Sequence, residues 1–156
     1  TLALGAMMRS SGRLYAFDVS AARLAKFKAR LGRSGLSNVY PVRIDSENDA
    51  RVRRLAAKID RVLVDAPCSG LGTLRRNPDL KWRQTPESVA EMARKQAAIL
   101  ASAASLVKSG GRLVYATCSL LAEENEAVAE AFEATSPGWQ RLDVATVLDS
   151  AGVSAA

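Results

Sequence analysis

The chain has no histidine and only two cysteines in 156 residues. Without an imidazole, two thiols alone do not complete a tetrahedral metal set. Two cysteines are too few for a disulfide scaffold. Aromatic residues make up only 5%. No apolar run approaches the roughly 20 residues of a membrane span. The first eight residues lack the basic segment that opens a signal peptide, so a cytoplasmic, reducing setting with free thiols is expected. The glycine loop G-x-G-x-x-G of dinucleotide sites is absent, as are repeats and low-complexity tracts. A nicotinamide-dependent oxidoreductase would need such a loop upstream of Thr1.

What is present bounds the answer further. The length suits one domain over 1–156, and a hydrophobic fraction of 48% supports a core. Net charge is +6 and the pI about 9.7, which favours a polyanion partner, nucleic acid above all. Most of the basic residues, such as Arg23, Lys26 and Arg30 on one helix, read as solvated surface. A monomer is expected.

Apolar runs alternate with amphipathic stretches. Strands are expected over 13–18, 39–44, 61–64 and 112–116, with a weak one over 140–142. Helices are expected over 21–33, 49–57, 86–107, 122–134 and 143–150, and residues 1–8 read as a short apolar helix. Ser20 is a good N-cap and Gly35 a good helix stop; Gly110-Gly111 should close the long helix. Pro41 places its strand at an edge or bulge. This rhythm argues for an α/β fold with a mostly parallel sheet covered by helices on both faces. The 20-residue irregular stretch over 66–85 is too long for mere connection.

Chemistry-bearing residues fall at the strand ends. Asp18, Asp45 and Asp65 each close or follow a strand, and such acids accept hydrogen bonds from ribose hydroxyls or cap the next helix. Glu47 and Asp49 lie close enough to Asp45 to share its role. Cys68 follows Val62-Leu63-Val64-Asp65, and Cys118 follows Leu113-Val114-Tyr115-Ala116. If both runs are parallel neighbours about 4.8 Å apart, the thiols share one sheet edge with Asp65. That grouping suits covalent catalysis, although free cysteines are also among the most buried residues.

The residues Val64-Asp65-Ala66-Pro67-Cys68-Ser69-Gly70-Leu71-Gly72-Thr73, Arg75-Arg76-Asn77-Pro78-Asp79-Leu80-Lys81-Trp82, Tyr115-Ala116-Thr117-Cys118-Ser119 and Glu123-Glu124-Asn125-Glu126 resemble the Sun (Nop2/Sun) family of RNA cytosine-5 methyltransferases, most closely its bacterial members that act on 16S ribosomal RNA. The resemblance runs from Thr1 to about Glu133. It implies a Rossmann-like fold that uses S-adenosylmethionine, with Asp18 on the ribose hydroxyls, Asp45 by the adenine and Asp65 near the methionine end and the target base. It implies Cys118 as nucleophile and Cys68 as the residue that assists product release; the residues alone leave the two thiols interchangeable. Thr1 resembles the last residue of the family's cofactor loop, so the first strand, which would lie at the sheet centre, and the last strands are expected outside this chain.

The implied chemistry explains the residue types. Carbon 5 of cytosine is a poor nucleophile until a thiolate adds to carbon 6, and thiolates are strong nucleophiles near neutral pH. Asp65 is expected to protonate or hydrogen-bond the ring as the thiol adds. With no histidine, activation of Cys118 is expected from a helix start just after it, from nearby basic residues or from the cofactor's sulfonium. Arg75, Arg76, Lys81, Trp82 and Arg83 suit backbone contact and stacking on an unpaired base, or Trp82 is a half-buried loop anchor. A noncatalytic RNA-binding module on the same fold is the alternative.

Overall fold

The alternation resolves into four strands and seven helices among residues 1–153, the residues that the computed structural model describes. The last three residues of the expected domain lie outside them. In chain order the elements are α1 (Leu2–Met7), β1 (Leu14–Asp18), α2 (Ala21–Ser34), β2 (Val39–Arg43), α3 (Ala50–Arg53), β3 (Ile59–Asp65), α4 (Leu80–Arg83), α5 (Pro86–Leu106), β4 (Val107–Ala116), α6 (Glu126–Thr135) and α7 (Val144–Ser150). Short 3₁₀ turns occupy Leu71–Thr73 and Ala122–Glu124.

Local chemistry sets the boundaries. The Ser20 hydroxyl accepts the Arg23 N–H at the start of α2, and Gly35 ends that helix at φ 70°. Thr85 and Ser88 form a reciprocal capping box ahead of α5, with Pro86 in its first turn. The long helix stops at Leu106, one residue short of its expected end and ahead of the glycines, where the N–H groups of Ala57 and Lys58 take the carbonyls of Ser105 and Leu106. The strand then begins at Val107 and carries Gly110 and Gly111 inside it. A Cβ on Gly111 would stand 2.9 Å from the Asp60 and Lys108 carbonyl oxygens, so this irregular stretch of the ladder admits only glycine.

The strands pair in parallel, β1 with β2 and β3 with β4. They form two separate two-stranded ladders rather than one continuous sheet, because no described strand hydrogen-bonds to both. Pro41 lies on β2, which pairs only with β1. The core of the β3–β4 unit gathers Val64, Ala66 and Ala103, with Val62, Ile99, Leu113 and Tyr115 packed around it. Thus α5 covers one face, and Leu63 and Val114 stand exposed on the other.

Further expected elements differ, and the helix expected over 49–57 is confined to Ala50–Arg53. No strand forms over 140–142, where Arg141 donates its Nε to Glu133 on α6 at 2.6 Å instead of joining a ladder. The helix expected from 122 begins at Glu126, because Asn125 adopts φ −120°, ψ −89° and turns its side chain back to the residues after β4.

Candidate active site at the ends of β3 and β4

The register places Val64 opposite Tyr115 and Asp65 opposite Ala116. The Ala66 N–H extends the ladder to the Ala116 carbonyl at 2.9 Å. Cys68 lies three residues beyond Asp65, and Cys118 two beyond Ala116. Their Sγ atoms are 3.2 Å apart, and both are free thiols. Cys118 is exposed and Cys68 half-buried. Parallel pairing thus delivers the juxtaposition expected from sequence.

The backbone of the Cys118 turn is held by Gly72, whose N–H donates to the Cys118 carbonyl at 2.9 Å. An added Cβ at Gly72 would collide with that carbonyl. Gly72→Ala is therefore expected to destabilise the protein by about 1–3 kcal/mol and to displace Cys118. Thermal melting together with the alkylation rate of Cys118 checks this; wild-type values in both would contradict the close approach.

Beneath the thiols lies a polar cluster whose Ser69, Ser119, Glu124 and Asn125 fall in the sequence motifs quoted above but had no role there, and whose Gln96 lies outside them. The side chains of Glu124 and Gln96 are wholly buried, and Ser69 is only 3% exposed. Glu124 Oε1 accepts the Ser69 N–H at 2.7 Å and Gln96 Nε2 at 3.0 Å, and its Oε2 accepts the Ser69 hydroxyl in a very short contact. The Ser69 and Ser119 hydroxyls are 3.2 Å apart. Gln96 Nε2 also donates to the Pro67 carbonyl at 2.8 Å, and Gln84 Nε2 to the Ser69 carbonyl at 2.8 Å. Asn125 accepts the Thr117 hydroxyl at 2.6 Å and donates to the Ser119 and Leu121 carbonyls. One signal was legible: Gln96 falls on the same helical stripe as Met92, Ile99 and Leu100, where an amide is out of place.

Burial pushes the Glu124 carboxyl upward, but donors from Ser119, Ser69 and Gln96 outweigh it and hold it below the ordinary range. Burial pushes the Tyr115 hydroxyl up to about 12, with the charges of Glu124 and Cys68 adding to it. The Tyr115 hydroxyl donates to the Glu124 carbonyl at 2.7 Å. The Cys118 thiol is raised above its ordinary value, first by its hydrogen bond with Cys68, then by desolvation, the charge on Cys68 and that on Asp65. The helix start expected just after Cys118 is not there: a 3₁₀ turn opens at Ala122, and α6 starts only at Glu126. In hydrogen-bond reach of Cys118 Sγ stands Cys68, not a basic residue.

The other acids sit where the strand pattern put them. Asp65 ends β3 and is exposed. Asp18 ends β1; both its oxygens take Arg23 donors, at 2.7 and 2.8 Å, and Oδ1 also takes the Ser20 N–H. The Arg23 hydrogen bond leads in lowering its pKa. Asp45 lies two residues past β2 with its side chain 70% exposed, facing Arg43 at 3.4 Å. Asp49 is spent capping α3 and taking the Asp45 N–H, which leaves Asp45 as the freer acid of the two. Neither Asp18 nor Asp45 shares a hydrogen bond with the thiol pair. As acceptors, the exposed carboxylates of Asp45 and Asp65 and the Oδ2 of Asp18, which takes a single donor, suit a ligand with a ribose diol and an amino group.

Arg75, Arg76, Lys81, Trp82 and Arg83 are all exposed. Trp82 is 80% exposed with Lys81 Nζ 4.8 Å from its ring centre, so it does not anchor the loop. Leu71, Lys81, Gln84, Val89 and Leu121 line an open groove of about 510 Å³ beside the Cys118 turn. Among the described residues no helix is long and apolar enough to cross a membrane, and none form a metal-binding group of three or more acids and cysteines.

A family model described as 16S rRNA methyltransferase RsmB/F matches residues 1–154. The probable ribosomal RNA small subunit methyltransferase B of Synechocystis is 43% identical over 140 residues, covering 90% of this chain and 31% of that protein. The ribosomal RNA small subunit methyltransferase F of Escherichia coli O157:H7 is 38% identical over 137 residues, covering 88% and 28%. The crystal structure of NSun6 from Pyrococcus horikoshii with SFG superposes with a TM-score of 0.74 at 32% identity, covering 85% of this chain and 33% of that one. The chain spans about a third of the length of the curated relatives it matches.

Proposed function

Because the chain belongs to the 16S rRNA methyltransferase RsmB/F family, we propose that it is the catalytic part of an enzyme that methylates carbon 5 of a cytosine in small-subunit ribosomal RNA. The observation that carries the carbon-5 reading is the 3.2 Å thiol pair at the ends of β3 and β4, beside Asp65. A methyltransferase acting on a ring nitrogen or a ribose has no need of two apposed thiols.

Cys118 is the exposed thiol and serves as the nucleophile. Its Sγ adds to carbon 6, and the ring electrons move toward carbon 5 as Asp65 protonates or hydrogen-bonds the ring nitrogen. The proton lost from Cys118 passes by way of Cys68 to solvent, which leaves Cys68 a thiolate able to act as base. S-adenosylmethionine would be held by Asp18, Asp45 and Asp65 and would supply an electrophilic methyl group for carbon 5. Carbon 5 then bears both a hydrogen and a methyl. Cys68 accepts that hydrogen as a proton, the carbon 5–carbon 6 double bond re-forms, and Cys118 leaves as a thiolate.

The basic loop with Trp82 suits an unpaired stretch of RNA, since a target base must leave any stack to reach Cys118. The reaction belongs in the cytoplasm, where ribosomal RNA is at hand.

The test is direct. Full-length protein, small-subunit ribosomal RNA and methyl-labelled S-adenosylmethionine should yield 5-methylcytidine on nucleoside analysis. Label on a ring nitrogen or a 2′-oxygen would overturn the carbon-5 assignment. RNA binding without label would point to the noncatalytic alternative.

A further inference from the structure

Resting on that reading of the thiol pair, we infer that Glu124 is the positioning residue of this site: its buried carboxylate locks the Cys68 turn to the Cys118 turn and so sets the distance between the thiols.

Each cysteine is followed directly by a serine, Ser69 and Ser119, and both serines are buried. The side chains alternate: the thiols face the open edge, and the hydroxyls face inward. The hydroxyls meet at 3.2 Å, the same separation as the thiols above them. Glu124 fastens the lower pair. It takes both the backbone N–H and the hydroxyl of Ser69, so the residue after Cys68 is fixed at two points. Its own backbone is fastened to β4 through the Tyr115 hydroxyl, three residues before Cys118. Gln96 completes the tie by bonding both Glu124 Oε1 and the Pro67 carbonyl, which binds the residue before Cys68 to α5.

A wholly buried carboxylate is costly unless every donor around it is well placed. Here it joins the two turns that carry the reacting groups, each one residue from a thiol. A misplacement of about 1 Å at a reacting group can cost on the order of 10²-fold in rate. Passing a proton between two thiols requires the contact that this cluster maintains.

Position, not charge, is what Glu124 supplies. Glutamine has the same length, and its oxygen can keep the Ser69 N–H and Gln96 bonds. Its amide can donate to the Ser69 hydroxyl, which turns toward Ser119. Glu124→Gln should therefore retain most of the function that Glu124→Ala loses.

The test reads the thiols without any need for RNA. Reduced full-length protein is equilibrated against mixtures of reduced and oxidised glutathione, and the Cys68–Cys118 linked peptide is counted by mass spectrometry. Oxidised glutathione takes two electrons and two protons from the pair and leaves two reduced glutathiones, so the balance point reports the effective concentration of one thiol at the other. In Glu124→Ala this should fall by about tenfold or more, and kcat for methylation by about 10²-fold with KM for RNA within about twofold. Glu124→Gln should stay within about threefold of wild type in both. A wild-type effective concentration in folded Glu124→Ala, or loss in Glu124→Gln equal to that in Glu124→Ala, would overturn the inference. If Glu124→Ala does not fold, Ser69→Ala removes one hydroxyl from the same cluster and should lower the effective concentration by about threefold; no change would overturn it. Failure of the wild-type protein to methylate RNA would count against the proposed function and leave the thiol titration to judge Glu124.

Discussion

Cys118→Ala in the full-length protein is expected to lower 5-methylcytidine formation by at least about 10⁴-fold, with RNA affinity within about twofold of wild type. The size of the loss follows from the chemistry. Without a thiolate on carbon 6, carbon 5 has no route to enough electron density to take the methyl. The fold should not suffer. Cys118 is exposed, and the Gly72 contact that secures its turn uses the Cys118 backbone carbonyl, which alanine retains. Methyl-transfer assays with melting curves on the same preparations separate the two effects. Near-normal turnover in Cys118→Ala together with a dead Cys68→Ala would reverse the roles of the two thiols. That reversal has to be tested, because at 3.2 Å either sulfur lies within reach of what the other touches. Exposure favours Cys118: the target base must arrive from solvent, and Cys68 is half-covered.

The thiol site was legible because parallel pairing makes equivalent strand ends neighbours. Two apolar runs each followed by an acid or a cysteine were enough to place Asp65, Cys68 and Cys118 at one edge. The same logic placed Asp18 at the end of β1 and Asp45 just past β2. The buried support was not legible. Glu124 lies in Glu123-Glu124-Asn125-Glu126, which reads as a charged helix start, and nothing local distinguishes the one glutamate that turns inward from the two that stay exposed. What turns it is Asn125, whose side chain bonds Thr117, Ser119 and Leu121 and delays α6 until Glu126. Those partners come from the end of β4 and the turn beyond it, where hydrogen bonding overrides helix propensity. The early start of β4, at Val107 instead of Arg112, escaped for a similar reason. Glycines mark helix ends in sequence, but here the donors that stop the helix are Ala57 and Lys58, nearly fifty residues earlier, and the glycines serve the crowded ladder instead.

Cys68→Ala should give the opposite phenotype to Cys118→Ala: a covalent protein–RNA adduct that survives a denaturing gel and holds most of the active enzyme after one turnover. On the proposed mechanism, addition and methyl transfer need only Cys118 of the two thiols, so the first methyl is delivered. The adduct then waits for loss of the carbon-5 proton, and the group placed to take it is gone. Single-turnover label should approach one methyl per enzyme while steady-state turnover collapses by about 10²–10⁴-fold, the usual range for removing a general base. Adding Cys118→Ala should abolish the adduct. The same variant changes the free protein in a way that needs no RNA. The hydrogen bond with Cys68 is the leading cause of the raised Cys118 pKa. Removing it lowers that pKa, which enlarges the thiolate fraction at a given pH below it. Alkylation of Cys118 in Cys68→Ala should therefore be faster near neutral pH, with its rate profile displaced toward lower pH. An adduct without that displacement would confine Cys68 to the elimination step. The displacement without an adduct, on an RNA the wild-type enzyme methylates, would show Cys68 dispensable for release and restrict it to tuning the nucleophile.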